Sequence, residues 1–548
     1  YPDCKLVRLE QNYRSTQVIV DAANSVIEKN SSRIPKTCFS KGPEGDKIHL
    51  IKAYTEQEEA ILIASSIVAR MEKDHCQYQD FAILYRTNSQ SRALEEALRK
   101  RNLPYQIYSG NSFFERAEVK DMMAYLKLAV NPNDDESFRR VLNTPARGIG
   151  ATSEEALVNA ARSRGLSLFN ACEPTILESA GIKSAAAGRI MAFKNMMAMA
   201  NAALTKEDAF TVADMLSKQS GLYASFKNDN SIESQSRAAN IEELLNSVQS
   251  FVEDRQNQYR EELLAEGNVE DVDAIQDSEL PLVTLGDFLE DVSLLSAVDV
   301  SDDEDVSNKI TMMTVHSSKG LEFPYVYVAG MEENIFPSGG MFSDPVQIEE
   351  ERRLFYVALT RAKVAVNLSF AATRMRNGKH EQNSPSRFVK EIDRRYVDNP
   401  ISDDEVVSVP DSGGFRGFGS RFNVGNSGGG RSRETAYNNR YGTSGAVVTE
   451  KRAAPVSHVT GRPLRPAAAP DRKPVSAAPR TPDADFSPVS VLELKVGQRI
   501  EHNRFGYGVI RQITGTGMDL KAKILFDSFG EKILLLKYAK IRVDKTIK

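Results

Sequence analysis

Cysteine is scarce: this chain of 548 residues holds four, Cys4, Cys38, Cys76 and Cys172, far apart and in no CxxC or Cys/His cluster. That spacing indicates neither a disulfide framework nor a zinc site, and it fits a reducing compartment. No apolar run approaches membrane-spanning length and no signal peptide opens the chain, which points away from a membrane and toward the cytosol. A strong net charge is missing too. With 70 Lys and Arg against 75 Asp and Glu, global charge does not announce nucleic acid, so any basic surface must be local. The chain opens on Tyr1, directly inside patterned sequence, which reads as a fragment whose upstream part is missing.

What is present is a soluble globular composition, 41% hydrophobic and 26% charged, in a chain long enough for three or four units. From Lys5 to about Ser109 strands and helices alternate. "DKIHLIKA", "DFAILYR" and "PYQIYS" read as strands; "EQEEAILIASSIVARME" and "SRALEEALRKRN" read as helices. The same texture returns in "NKITMMTVH", "YVYVAGM", the amphipathic helix "EEERRLFYVALTRAK" and "VAVNLSFAAT". Such alternation argues for a parallel α/β sheet covered by helices. Between the two stretches the pattern turns helical, so an α/β domain interrupted by a helical insert is expected. After Tyr396 the chain becomes Gly/Ser/Arg-rich and then Pro/Ala/Arg-rich, with twelve Lys and Arg against four Asp and Glu from Asp411 to Arg480. That composition reads as a disordered linker whose local positive charge could favour a polyanion. The end of the chain alternates apolar and polar residues between Gly-bearing turns, as a β-barrel of about five strands would.

Three stretches carry the specific information: "LEQNYRST" from Leu9 to Thr16, "TVHSSKGLEFPYVYVAGMEENIFPS" from Thr314 to Ser338, and the helix that ends beside Arg361. In combination, order and spacing they resemble motifs IV, V and VI of superfamily 1 DNA helicases of the UvrD/PcrA/Rep type. "FFERAEVKDMMAYLKL", "NTPARGIG" and the terminal barrel also match, so the resemblance covers nearly all of the chain except the linker. It implies a RecA-like (P-loop NTPase-type) second motor domain in two segments, 1–108 and 306–397. It further implies a 2B-type helical insert at 109–305, a linker at 398–490 and an SH3/Tudor-like barrel at 491–548.

The resemblance also assigns roles. Arg14 and Arg361 are implied to reach the γ-phosphate of ATP, where planar guanidinium forks match phosphate oxygens. An Arg beside a helix C-terminus also suits the macrodipole, so position alone does not decide. Tyr13 is the expected stacking surface for adenine and Glu322 the expected acceptor for the ribose; a core-capping Tyr and a helix-start Glu are their structural alternatives. Thr314 and His316 are expected to touch the tracking strand of single-stranded DNA from the ligand edge of the sheet. Arg86, Asn88 and Arg92 could hold phosphates, although Asn88 or Ser89 would equally serve as a helix cap. Arg147, Gly148 and Gly150 in "RGIG" resemble a glycine-hinged clamp for duplex DNA, whose backbone N–H groups approach a phosphate closely. The barrel is implied to dock to RNA polymerase, with DNA as a second partner that the resemblance allows.

An ATPase of this class needs a G-x-x-x-x-G-K-[ST] loop and an acidic strand end for Mg²⁺. Neither occurs: "NGKHEQ" lacks the preceding glycine and the following hydroxyl, and "NDDES" and "SDDEDV" sit in polar turns. In the family these elements lie upstream of "LEQNYRST". The chain by itself is therefore expected not to hydrolyse ATP, with the Mg²⁺ ligands in the part it lacks. The reading is the C-terminal portion of a bacterial 3'–5' helicase of the nucleoid, serving repair or replication. A non-enzymatic module tethering a polymerase to DNA is the alternative. A helicase–nuclease subunit is disfavoured, because no nuclease-like acidic constellation follows motif VI.

Overall fold

A computed structural model describes residues 8–265, 271, 275–276, 279–297, 308–339, 344–376, 378–401, 486, 489–515 and 520–544. The expected linker lies, apart from its ends, outside the described residues, as does the passage from the helical insert back to the sheet at 298–307.

A six-stranded parallel sheet organises the first part. Its strands are β1 (His49–Ala53), β2 (Phe81–Tyr85), β3 (Tyr105–Ile107), β4 (Ile310–Thr314), β5 (Phe323–Val328) and β6 (Ala362–Ala371). Their order is β1-β6-β5-β2-β4-β3, with every pairing parallel. Strands from before and after the helical insert therefore interleave, and neither segment could form this sheet alone. The insert leaves after β3 and returns at β4, which are neighbours with Tyr105 opposite Ile310.

Side-chain alternation explains the two covered faces. On β2, Phe81, Ile83 and Tyr85 join Ile63, Ile67, Leu94 and Leu98 in one core, while Ala82 and Leu84 join Ile19, Val26, Phe355 and Leu359 in the other. The first core is roofed by α2 (Glu56–Asp74) and α3 (Ser91–Lys100). The second is roofed by α1 (Gln17–Ile27) and by α11 (Pro345–Leu359), which follows the insert in the chain. Thr55 caps α2 by accepting from Glu58 N at 3.2 Å; Asp344 caps α11 by accepting from Val346 N at 3.1 Å, with Pro345 in the first turn.

Among the described residues the insert is built mainly of helices: α4 (Ala117–Val130), α5 (Asp135–Val141), α6 (Ala151–Arg164), α7 (Ser184–Ala203), α8 (Ala209–Ser220), α9 (Ile232–Ala265) and α10 (Leu285–Ala297). They share one core around Tyr125, Phe138, Phe193, Leu216, Leu244 and Phe288. A hairpin of β7 (Thr373–Arg376) and β8 (Lys379–Gln382) reaches from the sheet to α9. Its turn is Gly378 at φ +70°, where a Cβ would stand 2.3 Å from the Phe210 ring, so only glycine fits.

The C-terminal unit is a five-stranded antiparallel sheet, β9 (Arg499–His502), β10 (Gly506–Thr514), β11 (Lys521–Phe526), β12 (Gly530–Leu535) and β13 (Ile541–Val543). The order is β12-β11-β10-β9-β13, around a core of Ile500, Phe505, Ile510, Ile524, Phe526 and Leu536. Phe505 and Phe526 are core residues here, each 2% exposed.

Candidate functional site

The segment "QNYRST" is laid against the start of β6 by its own polar side chains. Asn12 Oδ1 accepts from the N–H groups of Arg14 at 2.8 Å and Ser15 at 3.0 Å, a local turn of the kind Asn favours. Ser15 Oγ donates to Ala362 O at 2.7 Å, and Thr16 N donates to Lys363 O at 3.2 Å. These ties set Arg14 beside the end of α11. Its Nη1 donates to Thr360 O at 3.1 Å and its Nε to Glu322 at 2.6 Å. Arg361, one residue beyond, donates from Nε to Val357 O at 3.1 Å and from Nη1 to Leu321 O at 3.0 Å.

Two guanidinium groups thus converge at the N-terminal edge of β5 and β6. Burial and then the neighbouring Arg14 charge push Arg361 below its ordinary value, against the opposing effect of Glu322. Hydrogen bonds from Lys363 and Arg14 hold its carboxyl down at about 2. Tyr13 is 87% exposed, its ring presented to solvent. Gln11 to Thr16, Ser40 to Pro43 and Lys363 line a depression of about 570 Å³ beside it. The arrangement is a pair of partly desolvated guanidinium groups flanked by an open aromatic ring.

Thr314, His316, Arg86 and Asn88 lie at the opposite, C-terminal edge of the sheet, about 20 Å away by the length of a six-residue strand. Thr314 ends β4, with its Oγ1 2.9 Å from Ser317 Oγ, and His316 stands exposed in the turn that follows. Burial and then the Arg86 charge lower the His316 pKa, favouring the neutral ring. Asn88 is exposed. The capping expected of it or of Ser89 falls instead to Thr87 and Gln90, which bond reciprocally.

Two expected phosphate contacts are tied up inside the protein. Arg92 is 3% exposed, because it bridges Glu243 of α9 at 2.6 Å and Glu96 at 2.9 Å. Its guanidinium anchors the insert to α3 and does not face a ligand edge, which corrects the expectation from sequence. Arg86 forms a fork with Glu351 of α11, at 2.6 Å and 3.0 Å, and also donates to Ser338 Oγ at 3.2 Å. Glu351 was not among the expected site residues. It lies in the helix already singled out by its charge pattern, but spacing along one helix gives no hint of a partner 265 positions away.

In "RGIG" the roles divide. Arg147 turns inward, donating to the carbonyls of Val141 at 2.8 Å, Thr144 at 3.1 Å and Ser220 at 3.1 Å, so its side chain braces the loop. Gly148 and Gly150 are exposed, and Gly150 is the N-cap of α6. Gly148 has φ +69°, and a Cβ there would sit 2.8 Å from Arg189 Nη1. Among the described residues no group of three or more His, Cys, Asp or Glu could hold a metal ion, and no helix is long and apolar enough to cross a membrane.

Residues 7–373 match the UvrD-like helicase C-terminal domain. The chain belongs to this family. Residues 496–542 match the PcrA/UvrD tudor domain, which is the five-stranded unit. Among relatives, the ATP-dependent DNA helicase PcrA of Leuconostoc citreum is 33% identical over 546 residues, 99% of this chain and 63% of that protein. The proteins of the same name from Staphylococcus aureus strain Mu50 and Staphylococcus epidermidis strain RP62A are each 32% identical, over 99% of this chain and 62% of theirs. The chain thus spans somewhat under two thirds of the length of these relatives. The expected α/β fold with its small β unit is that of the UvrD-like family, and ATP-dependent DNA helicases are its relatives.

Proposed function

We propose that this chain forms the second motor segment of an ATP-dependent helicase that moves 3' to 5' on single-stranded DNA and unwinds duplex. The observation that carries the reading is the convergence of Arg14 and Arg361 at one edge of the sheet, with α11 running from there to the Arg86–Glu351 fork at the other. With a phosphate-binding loop and Mg²⁺ supplied by an element that this sequence does not contain, ATP would pass its γ-phosphoryl group to water, with ADP as the leaving group. Arg14 and Arg361 stabilise the charge that develops on that phosphoryl group. Tyr13 stacks on the adenine, and Glu322 exchanges part of its bonding to Lys363 and Arg14 for the ribose hydroxyls.

Movement of α11 then reaches the opposite edge, where Thr314, His316 and Asn88 contact the tracking strand and Arg86 positions the turn behind them. The N–H groups of Gly148 and Gly150 receive a phosphate of the duplex, with Arg147 bracing the loop. The five-stranded unit docks to RNA polymerase. The setting is the bacterial cytosol, in repair or replication.

The test is DNA-stimulated ATP hydrolysis, measured for this chain alone and for the chain preceded by a domain carrying a G-x-x-x-x-G-K-[ST] loop. Activity only in the longer protein is expected. Activity in neither would replace the helicase reading with that of a tethering module.

A further inference from the structure

The described barrel rests on α9 through an unusual pairing of charges. Glu253, Asn257 and Glu261 form one i, i+4 column on that helix, and Asp254, Gln258 and Glu262 form the adjacent one, so both columns lie on one face. Opposite them, two turns of the barrel present cations. Arg504 meets Glu262 at 3.0 Å and the Gln258 carbonyl at 3.4 Å; Tyr538 donates to Glu253 at 2.5 Å, with Lys537 at 4.0 Å from the same carboxylate. Lys540 acts on Asp254, whose carboxyl burial pushes up to about 6. The barrel is cationic as a whole, with ten Lys and Arg against six Asp and Glu from Val491 to Asp544.

This contact is charge-matched but incompletely bonded. His502 is 2% exposed, and its Nδ1 accepts from the N–H groups of Arg504 and Phe505, at 3.2 and 3.3 Å. The proton of the neutral ring therefore sits on Nε2, which faces Glu261 at 3.6 Å and has no hydrogen-bond partner. Arg504 Nε is likewise buried without a partner. A permanent interface normally satisfies such donors. Donors left short of an acceptor fit a surface that holds α9 in place of a better one.

We propose that this two-turn end of the barrel is a binding surface for the phosphate backbone of a single-stranded nucleic acid, and that the acidic face of α9 occupies it as an internal substitute. Phosphate oxygens reach the Arg504 fork and the His502 Nε2–H, and Lys537 and Lys540 add screened attraction. The choice of nucleic acid over an acidic protein rests on the helicase reading. Binding there releases the barrel from α9 and frees the insert from one of its ties.

The experiment is fluorescence anisotropy of a labelled 20-nucleotide oligothymidylate with the full chain. Replacing Glu253, Glu261 and Glu262 together by Gln is expected to tighten binding about tenfold at low salt and to steepen its salt dependence. Adding Arg504→Ala, Lys537→Ala and Lys540→Ala should cancel that gain. A control carrying Glu178→Gln, Glu233→Gln and Glu290→Gln makes the same change in net charge on exposed helix surfaces. An equal gain in the control, or a gain that survives loss of the barrel cations, would overturn the proposal. Polyglutamate of matched charge competing as well as the oligonucleotide would overturn the choice of nucleic acid. If the triple variant does not fold, Glu262→Gln alone, at a half-exposed carboxylate, should give a gain of about twofold. Thr314→Ala with His316→Ala tests the motor site separately: it lowers basal binding if the helicase reading holds and leaves the fold-gain unchanged.

Discussion

At the N-terminal edge of β5 and β6, Arg14 and Arg361 are held by backbone carbonyls and one exposed carboxylate. At the C-terminal edge, Arg86 and Arg374 are enclosed by carboxylates. Arg374 bonds Glu332 at 2.7 Å and Glu59 at 2.5 Å, with both acids buried, and it stays charged well above its ordinary range because those acids surround it. Carbonyl contacts fix the direction of a guanidinium without cancelling its charge, so the group can still meet an anion. Carboxylate contacts in a dry site cancel the charge and turn the same residue into a structural tie. Residue type is identical at the two edges; the partners decide the role.

The contrast breaks most visibly if Arg361→Ala is made in a protein that also carries the phosphate loop. Turnover should fall by roughly 10³ or more while nucleotide affinity changes little and stability shifts by less than about 1 kcal/mol. Near-normal ATPase with retained folding would sink the charge-stabilising role. Next in size is Arg374→Ala, which leaves Glu59 and Glu332 buried without their cation and should cost about 3–5 kcal/mol in urea unfolding. A loss below about 1 kcal/mol would mean that the two edges do not differ as described.

A smaller effect, read through pH, concerns Glu56 beside the Arg374 network. Burial pushes its carboxyl up to about 7, partly offset by Arg374. A carboxyl raised in the folded state contributes stability below its unfolded value near 4.5 and loses it as pH rises through about 7. Glu56→Gln should therefore gain on the unsubstituted protein between pH 5 and pH 8, and unfolding curves at the two pH values that run parallel would contradict the buried charge. The smallest expected change is at His316. Arg86→Ala removes a cation that lowers the ring's pKa and leaves Glu351, which raises it, so the imidazole titration followed by NMR should move upward. An unmoved titration would separate His316 from the fork.

Much of this was legible along the chain. Alternation such as Phe81-Ala82-Ile83-Leu84-Tyr85 flanked by helical periods announces a covered parallel sheet, and "QNYRST" with the Arg361 helix announces the double-arginine edge. Arg92 and Arg147 were misleading because a basic residue after a strand or beside a glycine looks the same whether it meets a phosphate, the carboxylates of its own and a neighbouring helix or the carbonyls of its own loop. Glu243 is 151 positions from Arg92, and no local pattern connects them. Glu351 escaped for the same reason, hidden in a charged helix whose exposed and buried acids alternate without a visible mark.

By itself the sequence determined the element types, the interruption of the sheet by a helical insert and the chemistry available at each motif, since these follow from periodicity, capping and residue type over short distances. Only the tertiary structure decided which strands became neighbours and which arginines kept their charge for a ligand. It also decided that an acidic helix of the insert would cover a cationic end of the barrel. Those outcomes depend on desolvation and on partners brought together across hundreds of residues, and a one-dimensional pattern carries neither.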